Sequence, residues 1–231
     1  METRDHIADN REDFMRRWFA IAISVGFATT VVNMKWVQSG ALPQVDEWKQ
    51  LFRLLAALVA TVLSWEGYLL SIKTKRLYEF PRYFIDISLV FIYLFLLLTS
   101  KYEHFWLLLH ALTFVLYAIW DGLTLYWHRD WYGADERTMR SAYWNSLLGR
   151  NGVDRGIAIT LSWLCYFAWL WIVSWAEFKY ETFVMMSFVL IGLAGYRLNK
   201  SDYRDSGWMT YLTPIGAGGA LSLIVIFLQG S

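Results

Sequence analysis

The chain has 231 residues, of which 57% are apolar and 19% aromatic, and its net charge is +1. A soluble domain is usually about 45–50% apolar, so an ordinary water-exposed fold does not account for the excess. The near-neutral charge excludes nucleic acid as the main partner. The single cysteine, Cys165, excludes an internal disulfide and a cysteine-based zinc site.

The N-terminal stretch METRDHIADNREDFMRR is polar and mixed in sign. It lacks the basic region and small-residue cleavage site of a secretory signal. Residues 1–17 are therefore expected to form a cytoplasmic segment, and the first apolar run is expected to stay in the membrane. A crossing helix needs about 20 mostly apolar residues. Such runs fall at roughly 18–37, 51–72, 83–99, 104–127, 156–176, 180–197 and 208–228. Helices are the expected element, because lipid leaves open backbone groups unsatisfied. Residues 18–231 thus read as one all-α transmembrane bundle of about seven helices.

The basic residues set an expected orientation. All but five of the 21 lie on one side: in the N-terminal segment, around 73–82, in 129–155 and in 197–204. The exceptions are Lys35, Lys49, Arg53, Lys101 and Lys179. The positive-inside rule puts the richer side in the cytoplasm, so the N-terminus is expected inside and the C-terminus outside. The expected location is the inner (plasma) membrane of a bacterium. A six-span version, with the run at 180–197 re-entrant, would put Arg197, Lys200 and Arg204 outside. Short connections at 73–82, 100–103 and 177–181 make sequential helices antiparallel neighbours, with spans three–four and five–six the clearest hairpins. Tryptophans such as Trp18, Trp48, Trp106, Trp127 and Trp175 fall near span ends, as an aromatic belt would. Trp163, Trp169 and Trp171 lie deeper and read as packing.

The fourth span carries the clearest chemistry. Glu103, His110, Tyr117 and Thr124 are spaced by sevens, and Asp121 and His128 lie one turn from that line. On a helix these share a face. From Glu103 to His128 the stripe covers about 37 Å at 1.5 Å per residue. Ionisable residues in a crossing helix are costly and face protein or water. The stripe therefore reads either as a hydrated or proton-relay path, or as a polar seam inside the bundle. Glu66, near the inner end of the second span, and Asp86, near the start of the third, fall at a similar depth to Asp121. Lys73 and Arg82 are their nearest basic neighbours in sequence. The three acids read as a proton or cation site opening to the cytoplasm, or as an ion-pair network that fixes helix register.

The seventh span contains TPIGAGGALS. Gly216, Gly218 and Gly219 give it a smooth side suited to close helix approach, either within the chain or in a homo-oligomer. The loop 128–155 holds a stretch, 135–148, with an apolar stripe through Met139, Tyr143 and Leu147. It reads as a headgroup-lying helix or as a dock for a cytosolic protein. No span carries the spaced arginines of a voltage sensor. No lysine stands in the last span for a retinal Schiff base, and the histidines lack the H-x-x-x-H pair of seven-span zinc hydrolases. The chain shares only the layout of the latter.

The functional expectation is a non-enzymatic channel, transporter-like protein or membrane sensor subunit, with lipid as its surroundings and no metal or cofactor. A membrane-embedded enzyme using the inner acids and a structural anchor for a cytosolic partner are the alternatives.

Overall fold

The structure, a computed structural model, describes residues 2–72, 79–127, 156–176, 178, 180–201 and 209–229. Among the described residues the chain is all-helical: α1 Glu2–Val32, α2 Lys35–Ser39, α3 Val45–Ile72, α4 Phe80–Leu98, α5 Glu103–Trp127, α6 Gly156–Val173, α7 Glu181–Ser201 and α8 Met209–Gln229. Seven of these, all but α2, are long and apolar enough to cross a membrane. The stretch 135–148 and the rest of the loop 128–155 lie outside the described residues, as do Lys73 and His128.

The first helix differs from its sequence reading. It begins at Glu2 and ends at Val32, whereas the apolar run suggested 18–37. The polar residues 2–17 continue the helix, tied by an i,i+4 pair between Arg17 and Asp13 at 2.7 Å. At the other end the Asn33 side chain donates to the Thr29 carbonyl at 2.9 Å, and such a local bond competes with the helix ladder. Trp36 and Val37 then fall in the separate turn α2.

The helices form two compact units, residues 1–109 and 110–231. In the first, α4 packs most extensively on α1 rather than on its sequence neighbour α3. The two run parallel: Phe14 meets Tyr83 near one end, and the Thr30 hydroxyl donates to the Leu97 carbonyl at 3.0 Å near the other. Gly26 allows this approach, because a Cβ there would come within 2.8 Å of Leu94. The intervening α3 runs the opposite way. Its Trp65 stacks on Phe19 at 4.0 Å between centroids, and its Arg53 reaches Ser100 just beyond α4.

In the second unit α6 is central, packed on α7 and α8. A Cβ at Gly192 or Gly195 of α7 would collide with Tyr166, Phe167 or Trp163 of α6, so these glycines let the large rings lie against backbone. The Tyr166 hydroxyl donates to the Phe188 carbonyl at 2.7 Å. On α8, Ser222 accepts from the Trp169 indole at 3.2 Å. Of the tryptophans read as packing, Trp163 is core but Trp169 is exposed; Trp48, Trp127 and Trp175 are exposed as well. Trp106, expected at the belt, is fully buried.

Candidate functional site

Four turns of α5 build the site in the second unit. His110, Phe114, Tyr117 and Asp121 follow at spacings of four, three and four, so all four share one face. The opposing helices fill in around them. Thr160 stands in the first turn of α6, and Tyr196 and Lys200 lie one turn apart near the end of α7.

Asp121 is the focus. It is only 3% exposed. Its Oδ2 accepts from the Thr160 hydroxyl at 2.6 Å and from Lys200 Nζ at 3.3 Å. Lys200 also donates to the Thr160 oxygen at 3.3 Å, which closes a triangle of three side chains from three helices. The pair is lopsided: the Lys200 side chain is 33% exposed and that of Asp121 4%. The carboxylate is enclosed while the cation reaches its surroundings. Carrying a lone carboxylate into an apolar interior is prohibitively costly, so the buried acid requires such a partner.

From this triangle an unbroken run of rings leads along α5. Lys200 Nζ lies 5.7 Å from the Tyr196 ring centroid. Tyr196 stacks on Tyr117 at 6.0 Å and meets Phe114 edge-on at 4.9 Å. Phe114 stacks on Phe167 at 4.5 Å, and Phe167 on His110 at 6.0 Å. His110, Phe114 and Phe167 are all buried. The sequence pattern marked only the polar members of this face. The structure adds Phe114 between them, so the two polar ends of the stripe are joined by packed apolar rings. Thr124 bonds back to its own helix, at the Trp120 carbonyl.

The remaining predicted residues fall elsewhere. Asp86 and Glu66 belong to the first unit. Asp86 is buried on α4, and its charge acts on the hydroxyl of Tyr68, as do those of Glu12, Arg16 and Arg82. The fully buried Arg82 binds Glu79 at 2.8 Å. Glu66 is exposed on α3. At the other end of this unit Arg53, 7% exposed, holds Glu103 at 2.7 Å. It also donates to the carbonyls of Ser100 at 2.6 Å and Lys101 at 3.3 Å. Glu103, which the sequence places at one end of the polar stripe, is thus part of a buried clamp.

On α8 the glycines divide. Gly218 faces α6, where an added Cβ would meet Trp169 at 3.6 Å, whereas Gly216 and Gly219 have open space beside them. Among the described residues no three His, Cys, Asp or Glu side chains converge as metal donors would.

Sequence reasoning missed Thr160, Tyr196, Phe114 and Lys200. Lys200 had a signal, since it was among the basic residues flanking the sixth span. Nothing in the sequence paired it with an acid 79 positions away. Comparisons with protein-family models, with characterised proteins and with solved structures give no match.

Proposed function

We propose that the chain is a multi-pass inner (plasma) membrane protein, N-terminus cytoplasmic and C-terminus outside, that moves protons or small cations through its second unit in a transporter-like way. The observation that carries this reading is the Asp121–Thr160–Lys200 triangle, buried at the acid and open at the lysine. Ionisable residues inside a membrane mark ion or proton paths by default. Lysine is a compact, mobile point charge that can leave its partner, unlike the rigid fork of arginine. An arriving proton or cation takes over the neutralisation of Asp121 and releases Lys200 towards its open side. Beyond the triangle, Tyr117, Tyr196, Phe114 and Phe167 act as an apolar barrier of the kind that gates by excluding water. His110 is the next polar group past it. His128 is proposed as a further polar residue of its cytoplasmic entry; Glu66 and Asp86, which belong to the first unit, are proposed as polar residues of that unit's own cytoplasmic end. Self-association through the open side of α8, at Gly216 and Gly219, and a cytosolic protein partner at 128–155 belong to the same proposal.

The test is flux in liposomes loaded with a pH- or cation-sensitive dye. The wild-type chain should dissipate an imposed gradient, Asp121→Asn should not, and Phe114→Ala should leak faster. A wild-type protein that moves neither protons nor cations would sink the pathway and leave the triangle as a fastener, with membrane anchoring of a cytosolic partner as the role that remains. Reporter fusions at the two termini test the orientation; two termini on one side would overturn it.

A further inference from the structure

In the first unit, α1 and α3 leave an open groove of about 600 Å³ between them. Its α1 wall is one helical stripe, Arg16, Phe19, Ala20, Ile23 and Ser24, and its α3 wall includes Trp65 and Leu69. The floor is rigid, because Phe19 is buried and its ring lies flat against Trp65. All of these but Ser24, a small hydroxyl, and one other are apolar. That other, Arg16, stands at the turn where the polar residues 2–17 of α1 give way to its apolar run.

Arg16 shares its surroundings with Glu12, one turn before it, since both charges act on the Tyr68 hydroxyl, while the neighbouring arginines are engaged elsewhere. Arg17 is paired with Asp13, and Arg11 lies 5.2 Å from the ring centroid of Tyr83. Arg16 is exposed and, among the described residues, makes no ion pair or hydrogen bond. A groove with one cation at its polar rim and apolar walls running about 10 Å along α1, from Arg16 to Ile23 at 1.5 Å per residue, has the polarity of an anionic amphiphile. Basic pockets between crossing helices near a membrane surface take acidic lipid headgroups. The volume falls within the roughly 300–1,000 Å³ of small-molecule sites.

We propose that this groove is a binding site for one anionic phospholipid, with its phosphate on Arg16 and an acyl chain against Phe19, Ala20, Ile23 and Trp65. The inference is independent of the ion pathway, which lies in the other unit.

The experiment is native mass spectrometry of the full chain released from detergent with phosphatidylglycerol or phosphatidylcholine. Wild-type protein should retain phosphatidylglycerol several-fold over phosphatidylcholine. Arg16→Gln should cut that preference by about fivefold, the worth of one basic contact at a membrane surface. Arg17→Gln, a like change of charge one residue away, should keep the preference. Ala20→Trp, which fills the groove from an exposed position, should lower retention of both lipids. Circular dichroism and thermal melts identify any variant that fails to fold, and Arg16→Gln and Arg17→Gln, both at exposed positions, keep the comparison readable. Equal retention of the two lipids by wild-type protein would overturn the proposal. So would an equal loss in the Arg16 and Arg17 variants, which would mean that general surface charge attracts the lipid.

Discussion

The two units bury charge in different ways. In the first, the buried cations are arginines: Arg53 and Arg82 are 6% and 0% exposed. Arg53 spreads its donors over a carboxylate and two backbone carbonyls. In the second, the buried group is a carboxylate, and its cation is a lysine that is one-third open and lies 3.3 Å from the carboxylate and from the Thr160 oxygen. Arginine stays charged and presents a fixed fork, whereas lysine is a single charge on a flexible stem that changes state readily when its surroundings change. The first arrangement holds helix ends together; the second can be let go. Burial alone does not mark a working site. What distinguishes the second unit is burial combined with a replaceable partner.

The strongest way to break this contrast is to remove an arginine. Arg53→Ala should cost about 3–5 kcal/mol, the usual penalty for stranding one member of a buried pair, and should lower the unfolding midpoint in detergent more than any other change considered. Arg53→Lys should recover little of it, because one ammonium cannot reproduce three directed bonds. A mild effect of Arg53→Ala would mean that water already reaches the clamp. Next comes the packing that holds the second unit. Gly195→Leu drives a side chain into the Trp163 ring and should cost about 1–3 kcal/mol in the same assay, with Gly195→Ala intermediate.

Asp121→Asn is the sharpest test of the comparison. Its cost should fall between the roughly 1 kcal/mol of an exposed pair and the about 3 kcal/mol of a buried one, because Lys200 can turn outward. The variant should still fold while flux disappears. If Asp121→Asn destabilises as much as Arg53→Ala, the triangle is a clamp like the other, and the contrast fails. The smallest effect on stability belongs to Gly219→Leu, within about 0.5 kcal/mol for an open position. It should nonetheless shift the particle mass measured by light scattering if α8 self-associates. Gly218→Leu, which crowds Trp169, should destabilise without a specific change in mass. Identical behaviour of the two variants would remove the assignment of the open glycines to an oligomer face.

The seven helices long and apolar enough to cross a membrane were legible in the sequence because each is a long apolar run, and length and polarity alone govern whether a helix can cross. The start of α1 was not, since its mixed charges mask the sparse buried face that Ala8 and Met15 give it. Asp121, His110 and Tyr117 could be placed on one face by counting. What each one touches could not: Thr160 and Lys200 come to Asp121 from helices 39 and 79 positions further along, and only packing brings them there. Phe114 was overlooked for a different reason. An apolar residue in an apolar span carries no contrast, although here it separates His110 from Tyr117. Arg53 stood only among the sparse basic residues of one side and Glu103 at one end of the polar stripe, and nothing in either pattern brings together residues 50 positions apart.

The lengths of the helices have a consequence of their own. At 1.5 Å per residue the 31-residue α1 measures about 46 Å and the 19-residue α4 about 28 Å, against a hydrocarbon core of about 30 Å. The two meet that core differently. The long helix can tilt or let its charged turns stand in water, whereas the short one has no length to spare and favours a bilayer no thicker than itself. Such hydrophobic mismatch costs fractions of a kcal/mol per Å and sorts proteins among membranes. The chain should therefore gather where the bilayer is thin, and lipids with shorter acyl chains should stabilise it more than longer ones.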